Sequence, residues 1–282
     1  MSSVDQFASV FNAASKTIFQ YEPPSLKNVL VVTDLQSEAA NKYMENARAF
    51  FSSIDGSWDT LGAENFKTVK ELLDQVENKK PDLIVTYRHL HSGAWQWPHS
   101  LGEHLDVLIQ VTEPPVAIMP HPDREGVPEH TMKSTDNVMA INDHLVGEDY
   151  LVNHAAHMTL SEGTLHLTHI EDDAVFDRYM EVISKIPEID TDIARETIQA
   201  QLLSDPSAYI DSVEAALGNE LPNIKIIKHV SHGLQLYEYQ KAVAENKIAL
   251  AILQAHDENQ LAMNATAYSL AVELRTTPLL IV

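Results

Sequence analysis

Apolar residues along this chain come in short runs that end in polar residues. KNVLVVTDL at 27–35, PDLIVTYRH at 81–89 and TEPPVAIM at 112–119 fall in the first part. DNVMAINDH at 136–144, KIALAILQAH at 247–256 and RTTPLLIV at 275–282 fall in the second. A short, continuous apolar run bounded by turn residues reads as a strand buried on both faces, the kind a parallel sheet requires. The second part is the fuller, with strand-like runs at 137–142, 164–170, 223–230, 248–254 and 278–282. Most of the gaps between runs carry a helical period. Tyr150, Leu151, Ala155 and Met158 make one apolar face, and Ile210, Val213, Ala216 and Leu217 a second. Leu236, Tyr239 and Ala242 make a third, and Tyr268, Ala271 and Leu274 a fourth. Gly218 is expected just past a helix end, and Asn264 is expected to cap the last helix. Alternating strands and helices predict βαβ units, a parallel sheet and right-handed crossovers.

The two parts read as copies of one design. VVTD and AIND open them alike, each with a polar residue and an aspartate after the apolar run. Pro-Val-Ala-Ile-Met and Pro-Leu-Leu-Ile-Val close them alike. The first copy is shorter by about one βα unit. Helices are expected there at about 37–52 and 66–79 with only GSWDTL between them, so one strand and one helix are missing. Residues 121–135, HPDREGVPEHTMKST, are polar and carry Pro122 and Pro128, which is linker chemistry. The expected division is an N-terminal segment at 1–25, a trimmed domain at 26–121, a linker at 122–135 and a complete domain at 136–282. In the first segment Phe7, Val10, Phe11 and Ile18 fit an amphipathic helix ended by Pro23-Pro24.

Composition narrows the function more than the fold. With 44% hydrophobic and 21% charged residues over 282 positions, the chain buries a core. It has no run long and apolar enough for a membrane span and no secretory pattern at its start. Cysteine is absent, which removes thiol nucleophiles and cysteine-ligated zinc and fits the cytoplasm. Acidic side chains outnumber basic ones 41 to 19, a formal charge of −22, so nucleic acid and anionic membranes are not expected partners. The expected partners are proteins, and association of two chains is left open.

On the VVTD and AIND openings, the PDLIV strand and the two proline-led endings, the chain resembles a tandem universal stress protein, over about 27–120 and 136–282. That resemblance implies doubly wound α/β domains whose last strands pair across a dyad, here 116–119 with 279–282 within one chain. It also implies a test for ATP. The nucleotide-binding branch carries Gly-x2-Gly-x9-Gly-Ser/Thr after its fourth strand, where bare backbone N–H groups cradle phosphates. Counting back from Pro115 places Gly102 at the third glycine, with Glu103 after it and Ser92 and His89 at the other two. Counting back from Pro278 gives Ala265, Ala255 and Ile252, and Asp257 and Glu258 stand where phosphates would lie. The resemblance thus points to the type that does not bind ATP. Asp34, Arg88, Ser92 and Gly102 remain the cofactor candidates of the first copy, and Asp143 matches Asp34 in the second.

Fourteen histidines are many for this length. His144, His169, His229, His232 and His256 fall at or near expected strand carboxyl ends, with Asp143, Glu171 and Asp257 beside them. Carboxyl ends face the ligand crevice of an open parallel sheet, and histidine with carboxylate can hold zinc. Their spacing matches no metal motif. His154 and His157 lie three apart on one expected helix face, where a half-buried surface explains them as well as a metal does. In the first copy His89, His91, His99 and His104 surround Trp95 and Trp97, an aromatic loop expected to cap the smaller core. No nucleophile elbow, Walker loop or zinc-protease helix is present. The expectation is a non-catalytic binding or scaffolding protein of the stress response without a cofactor. The alternatives are an ATP switch in the first copy, or a metal or small-ligand sensor in the histidine-rich crevice of the second.

Overall fold

The computed structural model describes residues 18–97, 99–142, 145–254 and 263–282. The first part supplies β1 (Asn28–Val32), α1 (Ser37–Phe50), β2 (Ser57–Leu61), α2 (Val69–Lys79), β3 (Leu83–Tyr87), α3 (Glu103–Val111) and β4 (Val116–Met119). The second supplies β5 (Asn137–Ile141), α4 (Asp149–Met158), β6 (Thr164–Asp172), α5 (Asp173–Ile183), α6 (Thr191–Glu220) and β7 (Lys225–Gly233). It closes with α7 (Gln235–Glu245), β8 (Leu250–Leu253), α8 (Ala265–Glu273) and β9 (Leu279–Ile281). The nine strands make one sheet in the order β2-β1-β3-β4-β9-β8-β5-β6-β7. Strands β3, β4, β8 and β9 are buried at every position, as unbroken apolar runs demand.

All strand pairs are parallel except one. β4 and β9 pair antiparallel, Val116 with Ile281, Ala117 with Leu280 and Ile118 with Leu279. The seam is dry: Ala117, Ile118, Leu279 and Leu280 are fully buried. Each large side chain buried there contributes about 1.5–3 kcal/mol. Because the seam reverses direction, the carboxyl ends of β1 to β4 open at one end of the sheet and those of β5 to β9 at the other. The first part orders its strands β2-β1-β3-β4, and the second reads β7-β6-β5-β8-β9 from the outside inwards. The position that β7 holds at the outer edge has no counterpart beyond β2.

Local chemistry starts most helices. Thr68 opens α2 with a capping box: its hydroxyl accepts from the Glu71 N–H, and the Glu71 carboxylate accepts from Thr68. Asp172, Asp190 and Asn264 each accept two backbone N–H groups at the starts of α5, α6 and α8. Asn264 therefore caps as expected. Gly218 does not end its helix: α6 continues to Glu220, and its 30 residues pass through Pro206. The 173–205 stretch, for which no helix face was expected, holds the whole of α5 and half of α6. These helices form a hairpin joined by Arg195, which pairs with Asp177 at 2.8 Å and lies over the Phe176 ring. Tyr150 and Leu236 were expected in apolar faces and are exposed, whereas Tyr239 and Val243 carry the buried face of α7.

Phe7, Val10 and Phe11 lie outside the described residues. Ile18 is exposed, and residues 18–27 cross the body without helix. The crossing is pinned by side chains of the second part: the N–H groups of Phe19, Gln20 and Glu22 donate to Ser212, Asp149 and Asn153. No helix among the described residues is long and apolar enough to cross a membrane.

Candidate functional site

The carboxyl ends of β1, β3 and β4 bring Thr33, Asp34, Tyr87, Arg88 and His121 together. Tyr87 closes β3, fully buried, with its hydroxyl at the centre of a fixed hydrogen-bond chain. Because the Tyr87 phenol proton is committed to Asp34, the Thr33 hydroxyl donates to the Tyr87 oxygen 2.7 Å away, while Thr33 Oγ1 accepts the Leu35 N–H at 3.1 Å. The Tyr87 oxygen also accepts the Asp34 N–H at 3.1 Å, and the phenol proton goes to Asp34 Oδ1. The other carboxylate oxygen accepts the His91 N–H at 2.7 Å. Burial, then the Asp34 carboxylate, push the Tyr87 phenol well above its usual range. Both oxygens of Asp34 are thus engaged by the protein itself.

The loop that supplies His91 is bent to do so. His89 and His91 have φ of 61° and 58°, left-handed values that non-glycine residues adopt at a cost of about 1–3 kcal/mol. Ser92 accepts from the Ala94 N–H and caps the short 3-10 turn Gly93–Gln96. Gly102 has φ 95°, and a Cβ there would stand 2.8 Å from the His89 Cα. Its glycine is required by the close approach of the loop's two ends. Around them Trp95 stacks on His121 at 4.4 Å and 10°, His121 meets the Tyr87 ring edge-on, and Phe66 packs on His91 and His104. Trp97 stays exposed.

Arg88 turns away from this crevice. Its Nε and one terminal nitrogen donate to the Ala271 carbonyl at 2.9 and 2.6 Å, and the same nitrogen reaches Leu274 O at 3.1 Å. A buried guanidinium from the first part thereby closes the carboxyl end of α8 in the second. Burial, then the charges of Arg124 and Arg275, lower its pKa to about 9. Arg275 returns the link, donating to Gln96 O at 3.2 Å.

The histidine set of the second part does not converge. Residue pairing sets His229 beside Thr168 and His232 beside Glu171, so with alternate residues on opposite faces His229 lies across the sheet from His169 and His232. His169 sits 3.5 Å from Glu171, and His232 pairs with Asp173 at 2.8 Å. His229 is committed to a relay. Asn137 donates to the Asn246 and Lys247 carbonyls, so its oxygen must accept from His166 Nε2 at 2.8 Å. His166 Nδ1 is then an acceptor, and His229 Nε2 donates to it at 2.8 Å with the rings stacked. His154 is buried and donates to Tyr150 O. Asp143, His144 and His256 lie outside the described residues. Among the described residues no three metal-binding side chains gather into a group that could hold an ion.

Two hollows flank these sites. One of about 470 Å³ runs between α1 and residues 119–132, beside His121 and Arg124. A broader one of about 970 Å³ lies between α2, the end of α3 and Tyr150 and His154 of α4. Sequence reasoning missed Tyr87, His121, Arg124 and Arg275. Only the residue after the PDLIVT run hinted at Tyr87, and nothing local marks the arginines, because their relation is tertiary.

No protein-family model matches the chain, and no curated protein matches it by sequence. Solved structures do. A functionally unknown protein from Pseudomonas aeruginosa PAO1 aligns with a TM-score of 0.52 at 11% identity, over 92% of this chain and 93% of its own. A provisionally assigned universal stress protein from Pseudomonas aeruginosa UCBPP-PA14 aligns with a TM-score of 0.54 at 11% identity, over 92% and 94%. A universal stress protein from Archaeoglobus fulgidus DSM 4304 aligns with a TM-score of 0.46 at 14% identity, over 90% and 84%. The likeness is one of fold. The chain has a doubly wound α/β fold like that of the Pseudomonas aeruginosa UCBPP-PA14 protein.

Proposed function

We propose that this protein is a non-catalytic binding or scaffolding protein of the stress response, built as a tandem universal stress protein of the type that does not bind ATP. The observation that carries the reading is the engagement of Asp34, whose two oxygens are taken by the Tyr87 hydroxyl and the His91 N–H. A nucleotide sugar approaching that carboxylate would have to displace both donors. The residues at the phosphate position do not fit a triphosphate: Ser92 caps its own turn, Arg88 holds α8, and Gly102 is closed against His89. The Tyr87 phenol beside Asp34 is buried and held well above its usual pKa range, which makes it a poor nucleophile and favours a non-catalytic role.

In this reading the two copies are 26–121 and 136–282, joined by the 122–135 linker, with the β4–β9 seam making a dimer within one chain. Working partners would be proteins, with nucleic acid disfavoured by the −22 charge, and the cytoplasm fits a chain without cysteine. Calorimetric titration with Mg-ATP, together with a phosphate-release assay, tests the proposal. The expected result is no binding below millimolar concentration and no turnover. Stoichiometric micromolar binding would refute it in favour of the ATP switch.

A further inference from the structure

Exposed large apolar side chains carry meaning when they share one surface. Val111, at the end of α3, is 60% exposed, and Tyr150, on α4, is 55% exposed. Both line the hollow of about 970 Å³ between the two parts of the chain, with Val76 and Pro115 adding apolar wall. A side hollow of about 300 Å³ shares Pro24, Tyr150 and His154 with it, so those three stand where the two spaces meet. A space of this size takes a small molecule. Leu26, Asp82 and Pro115 on its wall precede β1, β3 and β4, which puts it at the opposite end of the first part from the Asp34 crevice.

His154 supplies the polar point of this space. It is only 2% exposed, and its ring lies 4.4 Å from that of Tyr150. Its Nδ1 stands 2.9 Å from Tyr150 O, and a carbonyl can only accept. Nδ1 therefore carries the proton, and Nε2 of the neutral ring is a bare acceptor. Burial lowers the His154 pKa, which keeps the ring neutral at pH 7. Nε2 makes no hydrogen bond among the described residues, yet it is not sealed, so the small part of His154 left open includes it. An acceptor held this deep is satisfied by a donor that enters the hollow. Glu77, Asp82 and Glu113 line the larger space against one ammonium, Lys80, which disfavours an anion.

We propose that the cleft between α2, the end of α3 and α4 binds a small neutral or cationic aromatic molecule that carries an N–H or O–H donor. The ring of the ligand lies against Tyr150 and Val111, and its donor meets His154 Nε2. Neither part of the chain makes this site alone, since Val111 and Val76 come from the first and Tyr150 and His154 from the second. It uses none of the residues around Asp34, so it is judged apart from the question of ATP.

The test is calorimetry and ligand-observed NMR of the full chain with four probes: indole, tryptamine, 1-methylindole and indole-3-acetate. Indole and tryptamine are expected to bind saturably, with Kd of order 0.1–1 mM as suits such small molecules. 1-Methylindole has the same ring without the donor and should bind about tenfold more weakly. Indole-3-acetate should bind more weakly than tryptamine. His154→Phe keeps a ring and removes the acceptor, so it should bring indole to the level of 1-methylindole and leave 1-methylindole unchanged. Tyr150→Ala, at an exposed position that the fold does not need, should weaken every probe, and Tyr179→Ala, exposed on α5, should weaken none. Absence of saturable binding by indole overturns the site, as does equal binding of indole and 1-methylindole or binding unchanged in Tyr150→Ala. Tighter binding of indole-3-acetate than of tryptamine overturns the charge preference. Mg-ATP binding would count against the function proposed above, and the indole titration would still judge this site.

Discussion

Replacing Arg88 by methionine keeps most of the buried stem and removes the donors. Three short contacts to two carbonyls disappear, at the carboxyl end of α8 where the helix dipole favours a cation. Hydrogen bonds to a charged group are worth about 1.5–3 kcal/mol each, and the loss leaves the Ala271 and Leu274 carbonyls short of donors. Against that, the variant is relieved of the desolvated charge and of repulsion from Arg124 and Arg275, which depress the Arg88 pKa. The bonds should win, because two oxygens lose a donor while repulsion between half-buried groups is screened. The net expectation is a loss of about 3 kcal/mol, or ~6–9 °C in Tm. Arg88→Lys should fall between, since a single ammonium cannot fork across both carbonyls. Differential scanning calorimetry without ligand reads both variants. A Tm within about 1 °C of the wild type for Arg88→Met would refute the reasoning.

Acid should weaken the fold through its histidines. Burial, then the charges of His229 and Lys225, hold the His166 pKa at about 4, and burial lowers those of His89, His121, His154, His157 and His229 as well. The unfolded chain takes up these protons first, so stability is full above about pH 6.5 and falls as pH drops towards 4. His166 alone should cost about 2 kcal/mol between pH 7.5 and 5. Urea midpoints at the two pH values, compared with His166→Gln, check this, and an equal pH slope in the variant would sink it. Removing residues 279–282 strips β9 from between β4 and β8 and takes away fully buried Leu279 and Leu280. That is of order 10 kcal/mol, close to the whole stability of a domain, so the shortened chain should aggregate or lose its cooperative melt. An unchanged melting curve would contradict the role given to the seam.

Much of the fold was legible because the strands of a parallel sheet are buried on both faces. LIVTY, VAIM, LAIL and LLI leave no alternation to misread, and their order with the intervening helices names the fold class. Asn264 was legible too, since a cap acts through backbone two and three residues away. Gly218 was not. A glycine costs a helix about 1 kcal/mol, and packing of Val213 and Leu217 on the sheet outweighs that. Nor could the 173–205 stretch declare its hairpin, whose helices touch the body along only part of their length.

The candidate site divides the same way. Asp34, Ser92 and Gly102 stood out in the sequence through the resemblance to universal stress proteins, whose nucleotide motif falls on those positions. Their actual engagements depend on side chains brought from β3, from the 88–101 loop and from the far end of the chain. Tyr87 lies 53 positions from Asp34, and Arg88 lies 183 from Ala271. The unbroken apolar runs along the chain determined that a sheet would form and which residues would fill it. Only the tertiary structure decided which donor met which acceptor, because a hydrogen bond across the sheet depends on strand order and register, which no local pattern encodes.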